Sequence, residues 1–313
     1  MIILHNTISK KILKKKIQND SVQRIIVSFY KYFFIEDTVW LKTKIYLFFL
    51  KLNILGRVYI AREGINAQIS VPLKKYIMFK KFVRHLNPKL NLISFNTAIE
   101  NSLVTPFWVL CVKIREKIVS DGINYPFFAF YKNNCYLQAN SVNHMIDDNQ
   151  SIILDIRNKY EFNVGRFDNA INIPSKTFSQ QMKNLVFSLQ EYKNKKILLY
   201  CTGGIRCEKA AAWLQFNNFK KIYQVQGGII GYVHNAKKNN ISLRFKGANF
   251  VFDNRMIERI SDDVLGTCFH CQNLCDNYIN CKNSRCNLLF IQCNYCQKKY
   301  NYFCSIKCSK KTM

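Results

Sequence analysis

Apolar and polar positions along residues 22–119 alternate in a way that assigns an element to nearly every stretch. Residues 22–34 are rich in β-branched and aromatic side chains and read as a strand, after which residues 38–52 switch to helical spacing. Residues 55–61 and 66–71 are two further strands, joined at Arg62-Glu63-Gly64. Residues 73–86 form a second amphipathic helix closed by Pro88, and residues 92–97 begin another strand. The order β-α-β-β-α-β predicts a ferredoxin-like α+β sandwich, with residues 109–119 as an added strand leading out of it. Such a fold hosts many functions, so the chemistry has to be sought elsewhere.

The pattern breaks over residues 120–146, where Asp121-Gly122, Pro126 and an Asn-rich patch read as a connector with one short strand. Strand signals at 152–156, 197–200 and 222–225 then alternate with helical ones at 176–189 and 208–216, ending at Gly227-Gly228. This alternation predicts an α/β domain with a parallel sheet covered by helices. Residues 242–267 bridge onward with strand character around Phe250-Val251-Phe252, and a cysteine-rich tail follows. The expected division is a ferredoxin-like, acylphosphatase-like domain over 1–120 and a connector over 121–146. An α/β domain over 147–241, a linker over 242–267 and a small cysteine-rich, zinc-binding module over 268–313 complete it.

At 313 residues and 49% hydrophobic content the chain can bury two or three cores. Its longest strongly apolar run, residues 45–50, falls far short of the roughly 20 residues a membrane-spanning helix needs. The lysine-rich start, with Lys10, Lys11 and Lys14-Lys15-Lys16, lacks an apolar stretch followed by a small-residue cleavage site. It reads as a solvated basic arm, and a cytoplasmic location is expected. A net charge of +28 favours a phosphate-rich partner through counterion release. The excess of Lys over Arg, with abundant Asn and Ile, is also what an AT-rich genome imposes on solvated surfaces, so charge alone leaves RNA binding open.

Cys201-Thr202-Gly203-Gly204-Ile205-Arg206 lies between a buried strand and a helix, where ligands bind in open parallel sheets. The glycines allow a tight turn with N–H groups pointed inward, the helix adds the positive end of its dipole, and Arg206 adds a charge. Together these favour a Cys201 thiolate, and the same cradle would hold negative charge developing on a substrate. A glycine turn around a cysteine can be purely structural, but here position, glycines and arginine agree. Thiolate phosphatases use a loop one residue longer; four residues between Cys201 and Arg206 suit a persulfide or a compact electrophile better. Cys207 could resolve an oxidised or persulfidated Cys201, yet a small buried residue packing the helix start is the simpler reading. Asp155 and Arg157 read as a supporting pair that pins a loop at a strand end.

Nine of the thirteen cysteines fall between Cys268 and Cys308. Without a secretion signal this clustering favours metal ligation over disulfides. Two cysteines with two residues between them can reach one tetrahedral ion, so structural zinc is expected. One site is expected to use Cys293, Cys296, Cys304 and Cys308, and the other Cys268 or Cys271 with Cys275, Cys281 and Cys286, with His270 as a spare donor. Interleaved Lys282, Arg285, Tyr295, Lys298, Lys299 and Tyr300 could contact RNA or form a solvated face.

Asp155-Ile156-Arg157-Asn158, Tyr160-Glu161-Phe162 and the run from Gly165-Arg166-Phe167 to Ile173-Pro174 resemble a conserved segment of the rhodanese superfamily, with Arg166 where many members carry histidine. Gly227-Gly228 resembles the paired glycines of that superfamily. Residues 201–210, Ala61-Arg62-Glu63-Gly64-Ile65-Asn66, residues 112–119 and Phe250-Val251-Phe252-Asp253-Asn254-Arg255 narrow the resemblance to its bacterial tRNA uridine hydroxylases. That resemblance implies a catalytic Cys201, tRNA as partner, and oxygen-dependent conversion of the wobble uridine to 5-hydroxyuridine, with molecular oxygen as co-substrate. A sulfurtransferase acting through a Cys201 persulfide and a non-catalytic zinc-bearing RNA-binding protein are the rival readings. A small sulfur donor needs no flanking domains for positioning, whereas a tRNA does. No protein partner can be read from the chain.

Overall fold

The computed structural model describes residues 8–9, 12–13, 15, 22–100, 104–124 and 135–310. Most of the basic arm, and Pro126 with the Asn-rich patch at 133–134, lie outside the described residues.

The first domain consists of β1 (Arg24–Tyr32), α1 (Thr38–Lys51), β2 (Leu55–Ala61), β3 (Gly64–Pro72), α2 (Tyr76–His85), β4 (Asn96–Thr97) and β5 (Leu110–Ile114). The sheet order β4-β1-β3-β2-β5 is that of a ferredoxin-like sandwich, with β5 added in parallel to the β2 edge. Asp37 caps α1 by accepting the Val39 and Trp40 N–H groups at 3.0 and 2.8 Å. Leu41, Ile45 and Phe49 recur every four residues, so one face of α1 meets Val27, Phe29 and Ile69 of the sheet in a buried core. The expected strand at 92–97 shrinks to two residues. Leu90 and Ile93 are buried in turns whereas Leu92 is 92% exposed, so the apolar alternation there is never used by a sheet.

The second domain carries β6 (Cys135–Leu137), α3 (Ala139–Asp147), β7 (Ser151–Asp155), α4 (Lys159–Val164), β8 (Gly165–Phe167), β9 (Ala170–Asn172), α5 (Phe178–Ser188), β10 (Lys196–Tyr200), α6 (Ile205–Phe216), β11 (Ile222–Val225) and α7 (Gly228–Lys238). Five strands form a parallel sheet in the order β6-β11-β10-β7-β9. Along the central β10, Ile197 and Leu199 pack with α5 and α6, while Leu198 and Tyr200 pack with α3 and α7. Burial on both faces is why the strand is a continuous apolar run.

Two stretches expected to be connectors carry elements of their own. β6 and α3 belong to the second domain, because Val142, Met145 and Ile146 make an apolar face buried with residues of α7. In the expected linker, β12 (Phe245–Phe250) pairs antiparallel with β8 and with β13 (Ile257–Arg259). The tail contains the hairpin β14 (Tyr278–Asn280) and β15 (Leu289–Ile291), followed by α8 (Asn294–Lys299) and α9 (Ile306–Lys310). Among the described residues no helix is long and apolar enough to cross a membrane.

Candidate active site

Cys201 follows directly on β10 and opens the turn into α6. Gly204 caps that helix at φ 102°, a backbone region that favours glycine, and a Cβ there would lie 2.7 Å from the Tyr30 hydroxyl. Gly203 is different: an added Cβ would meet only the Asn96 amide nitrogen, at 3.7 Å. From behind, the Ile229 and Ile230 N–H groups at the start of α7 donate to the Cys201 and Thr202 carbonyls at 2.9 and 3.2 Å. That approach explains Gly228, whose Cβ would stand 2.4 Å from the Cys201 carbonyl oxygen.

The cysteine is fully buried, and the Gly204 N–H donates to its Sγ at 3.1 Å. Burial alone would push the Cys201 thiol up. The Cys207 thiol, which donates to it, the Arg206 charge and the Cys207 and Gly204 N–H groups outweigh that and bring it down to about 5. Burial and the neighbouring Cys201 charge push Cys207 the other way, well above an ordinary thiol. The pair therefore divides its roles, Cys201 as thiolate and Cys207 as the proton-bearing donor. Both readings of Cys207 from sequence treated it as a partner for oxidised sulfur or as filler; the hydrogen bond gives it a third role.

Arg206 is held by Glu161 in a two-pronged ion pair, Nη1 to Oε1 at 2.6 Å and Nη2 to Oε2 at 2.8 Å, and Nη2 also donates to Thr202 Oγ1 at 3.3 Å. Glu161 is fully buried and also accepts the Asn158 N–H at 3.0 Å in the capping box of α4. Sequence reasoning missed Glu161 as the partner of Arg206, although the Asn-x-x-Glu spacing marks a helix start. Asp155 and Arg157 are both fully buried and paired, Arg157 Nη2 reaching Asp155 Oδ2 at 2.7 Å and the Gly165 carbonyl at 2.5 Å. They join the end of β7 to β8.

The loop faces a cavity of about 340 Å³. Its walls come from β1 and β4 of the first domain, the Cys201–Arg206 loop, and the segment carrying Val251, Phe252 and Arg255. The first domain is anchored on α6. Lys209, 2% exposed, pairs with Glu63 at 2.5 Å and Asp121 at 2.7 Å. Glu63 also accepts the Ile118 N–H at 2.8 Å, and Asn66 donates to the Ile118 carbonyl at 3.1 Å. Tyr30 and Tyr136 both donate to Glu208 Oε1, at 3.1 and 2.7 Å. The separated motifs around Glu63, Ile118 and Lys209 thus meet at one interface.

The metal-ligand pairing expected from sequence is wrong. The sulfurs gather as Cys268, Cys271, Cys293 and Cys296 in one cluster and Cys281, Cys286, Cys304 and Cys308 in the other. The β14–β15 hairpin is the cause. Its Tyr278/Ile291 end brings the first knuckle to Cys293, and its Asn280/Leu289 end brings Cys281 towards the last pair, so neighbouring pairs in sequence serve alternate sites. Contacts of 3.7, 3.7 and 3.8 Å between sulfurs match the edge of about 3.8 Å in a tetrahedron with metal–sulfur bonds of about 2.3 Å. Cys275 is buried apart from both clusters and accepts the Asn277 N–H at 3.4 Å, and His270 stacks on Tyr300 at 3.9 Å.

Family models match nearly the whole chain: a UPF0176 acylphosphatase-like domain over residues 24–118, a rhodanese-like domain over 138–235, and a "Rhodanase C-terminal" domain over 246–309. The protein named tRNA uridine(34) hydroxylase from Buchnera aphidicola subsp. Acyrthosiphon pisum (strain APS) is 51% identical over 99% of this chain and 95% of its own length. A protein of the same name from Enterobacter sp. (strain 638) is 46% identical over 100% of this chain and 89% of its own. A solved rhodanese-related protein from Thermoplasma volcanium is similar over 32% of this chain and 91% of its own, at 25% identity and a TM-score of 0.27.

Proposed function

This chain belongs to the tRNA uridine(34) hydroxylase family, and from that membership we propose that it hydroxylates the wobble uridine of tRNA at C5 with Cys201 as nucleophile. The observation that carries the reading is a thiolate-forming cysteine at the wall of a cavity closed by three parts of the chain. A rhodanese-like domain acting on a small sulfur donor has no use for the two added walls.

Uracil C5 is a poor nucleophile in the neutral base. Addition of the Cys201 thiolate at C6 forms an S–C6 bond, breaks the C5–C6 π bond and leaves an enolate across C5, C4 and O4. Gly204 N–H and the N-terminus of α6 hold Cys201 ionised before attack, and Arg206, fixed by Glu161, keeps positive charge beside the developing enolate. The enolate carbon meets molecular oxygen. One oxygen atom stays on C5, the other leaves as water with two electrons and two protons from an external reductant, and loss of the C5 proton expels the thiolate. Asp155, Arg157 and Glu161 act by holding the loop and its arginine in place.

We read the two cysteine clusters as structural zinc sites, each with four thiolates and no open position. An ion there would supply folding energy to a small module and take no part in the reaction.

The test is nucleoside mass spectrometry of tRNA incubated with the protein under heavy-isotope dioxygen. A single heavy oxygen on the wobble uridine is expected, and none with Cys201→Ser. Exchange of oxygen for sulfur would replace this reading with sulfur transfer, and full hydroxylation by Cys201→Ser would remove Cys201 from the chemistry.

A further inference from the structure

Several large apolar side chains line the Cys201 cavity, and most of them are packed away: Phe107, Phe178 and Val251 are 7%, 6% and 5% exposed. Phe252, in the turn between β12 and β13, breaks the pattern at 41%, and among the described residues it is the exposed large apolar side chain of that lining. An aromatic ring left bare in a concave wall beside a nucleophile is a contact surface for what enters. Phe250 meets the ring in a T-shaped arrangement at 5.3 Å, and the Arg206 guanidinium stands 5.6 Å from its centroid. Neither neighbour closes the ring off from the chamber.

The ring is fixed through its backbone. Arg57 of β2 donates through Nη2 to the Phe252 carbonyl, which ties this wall to the first domain. On either side, the Val251 N–H donates to the Met256 carbonyl at 2.8 Å and the Asn254 N–H to the Pro106 carbonyl at 3.2 Å. A platform set before the ligand arrives loses little entropy on binding.

Gly203, in the wall made by the reactive loop, is a second and independent anomaly. Its backbone lies outside the left-handed region, and an added Cβ would meet nothing nearer than the Asn96 amide nitrogen at 3.7 Å. Neither conformation nor packing calls for glycine there. A ligand that comes close to the backbone is the other use of a missing side chain.

We propose that the wobble base, lifted out of the anticodon stack, lies flat on Phe252, with the bare backbone at Gly203 giving its plane clearance beside Cys201. Every base has a π-face, so Phe252 positions the pyrimidine and does not select it. This inference rests on the proposed attack of Cys201 on the wobble uridine.

The experiment measures dissociation constants in a Cys201→Ser background, where no covalent adduct adds to affinity. Two synthetic anticodon stem–loops are compared, identical except for uridine or an abasic ribose at the wobble position. The ratio of the two constants isolates what the base contributes, and a merely structural loss in a variant weakens both and leaves the ratio unchanged. Phe252→Ala should shrink the ratio about tenfold, equivalent to about 1.4 kcal/mol, and Phe252→Tyr, which keeps the ring, should hold it within about threefold. Gly203→Ala has room for its methyl group in the free protein and should weaken uridine binding at least about fivefold with abasic binding unchanged. An unchanged ratio in Phe252→Ala, or a loss as large in Phe252→Tyr, would overturn the stacking. Undiminished preference for uridine in Gly203→Ala would overturn the clearance. The ratios are read without turnover, so absence of wobble hydroxylation by the protein with Cys201 intact is the separate outcome that removes the functional reading itself.

Discussion

Replacing Cys207 by alanine removes one hydrogen bond from the reactive centre while leaving the backbone N–H that also points at Cys201. A hydrogen bond to a charged group is worth about 1.5–3 kcal/mol. At about 1.36 kcal/mol for each pH unit, its loss raises the Cys201 midpoint by roughly one to two pH units. The thiolate is the reactive form, so the alkylation rate rises with pH through that midpoint, which lies at about 5 in the intact protein. At pH 6 the thiolate share should fall from about nine-tenths to between about half and a tenth in Cys207→Ala. Above about pH 9 the two proteins should converge, with the variant slightly faster because a more basic thiolate is a better nucleophile. Iodoacetamide labelling followed peptide by peptide resolves Cys201 from the other cysteines. A wild-type midpoint near the ordinary thiol value of 9.0, or a midpoint unmoved in Cys207→Ala, would refute the division of roles between the two sulfurs.

Lys209→Met leaves the buried Glu63 without a cation and Asp121 with Lys117 alone, and should cost about 3–5 kcal/mol, read as a lowered denaturant midpoint. Pairing it with Glu63→Gln should restore part of that loss, and a Lys209→Met protein as stable as wild type would contradict the buried ion pair. Metal analysis tests the interleaved clusters. Cys296→Ala with Cys304→Ala should lose both equivalents, because the two cysteines serve different sites, whereas Cys271→Ala with Cys296→Ala should lose only one. Under the sequential pairing Cys296→Ala with Cys304→Ala would lose only one.

Local periodicity made most of both sheets legible, because α1, α2 and the strands of the parallel sheet each advertise their buried face in their own residues. The Cys201 loop was legible for the same reason: strand, glycines, arginine and helix are contiguous. What escaped depends on contacts between distant segments. Glu161 had no visible link to Arg206, 45 residues later, and Glu63 had none to Lys209, 146 residues later. Cysteine spacing announced clusters that could hold a metal but could not say which pairs would share one, since that is decided by a hairpin of three-residue strands whose length separates the two clusters. Gly203 and Gly204 looked equivalent in sequence, yet only Gly204 needs the left-handed conformation.

The cavity's third wall has a bearing on how the protein is made. Chains emerge from the ribosome from the N-terminus and their domains fold in that order. When the parallel sheet closes, Cys201 already has its N–H donors and Arg206, but Phe252, Arg255 and Glu258 are still to come. Until they dock, the thiolate borders an open cleft rather than a substrate chamber. A chain folded only that far would carry the activated sulfur at an open cleft, and the cleft would gain its third wall when β13 pairs with β12.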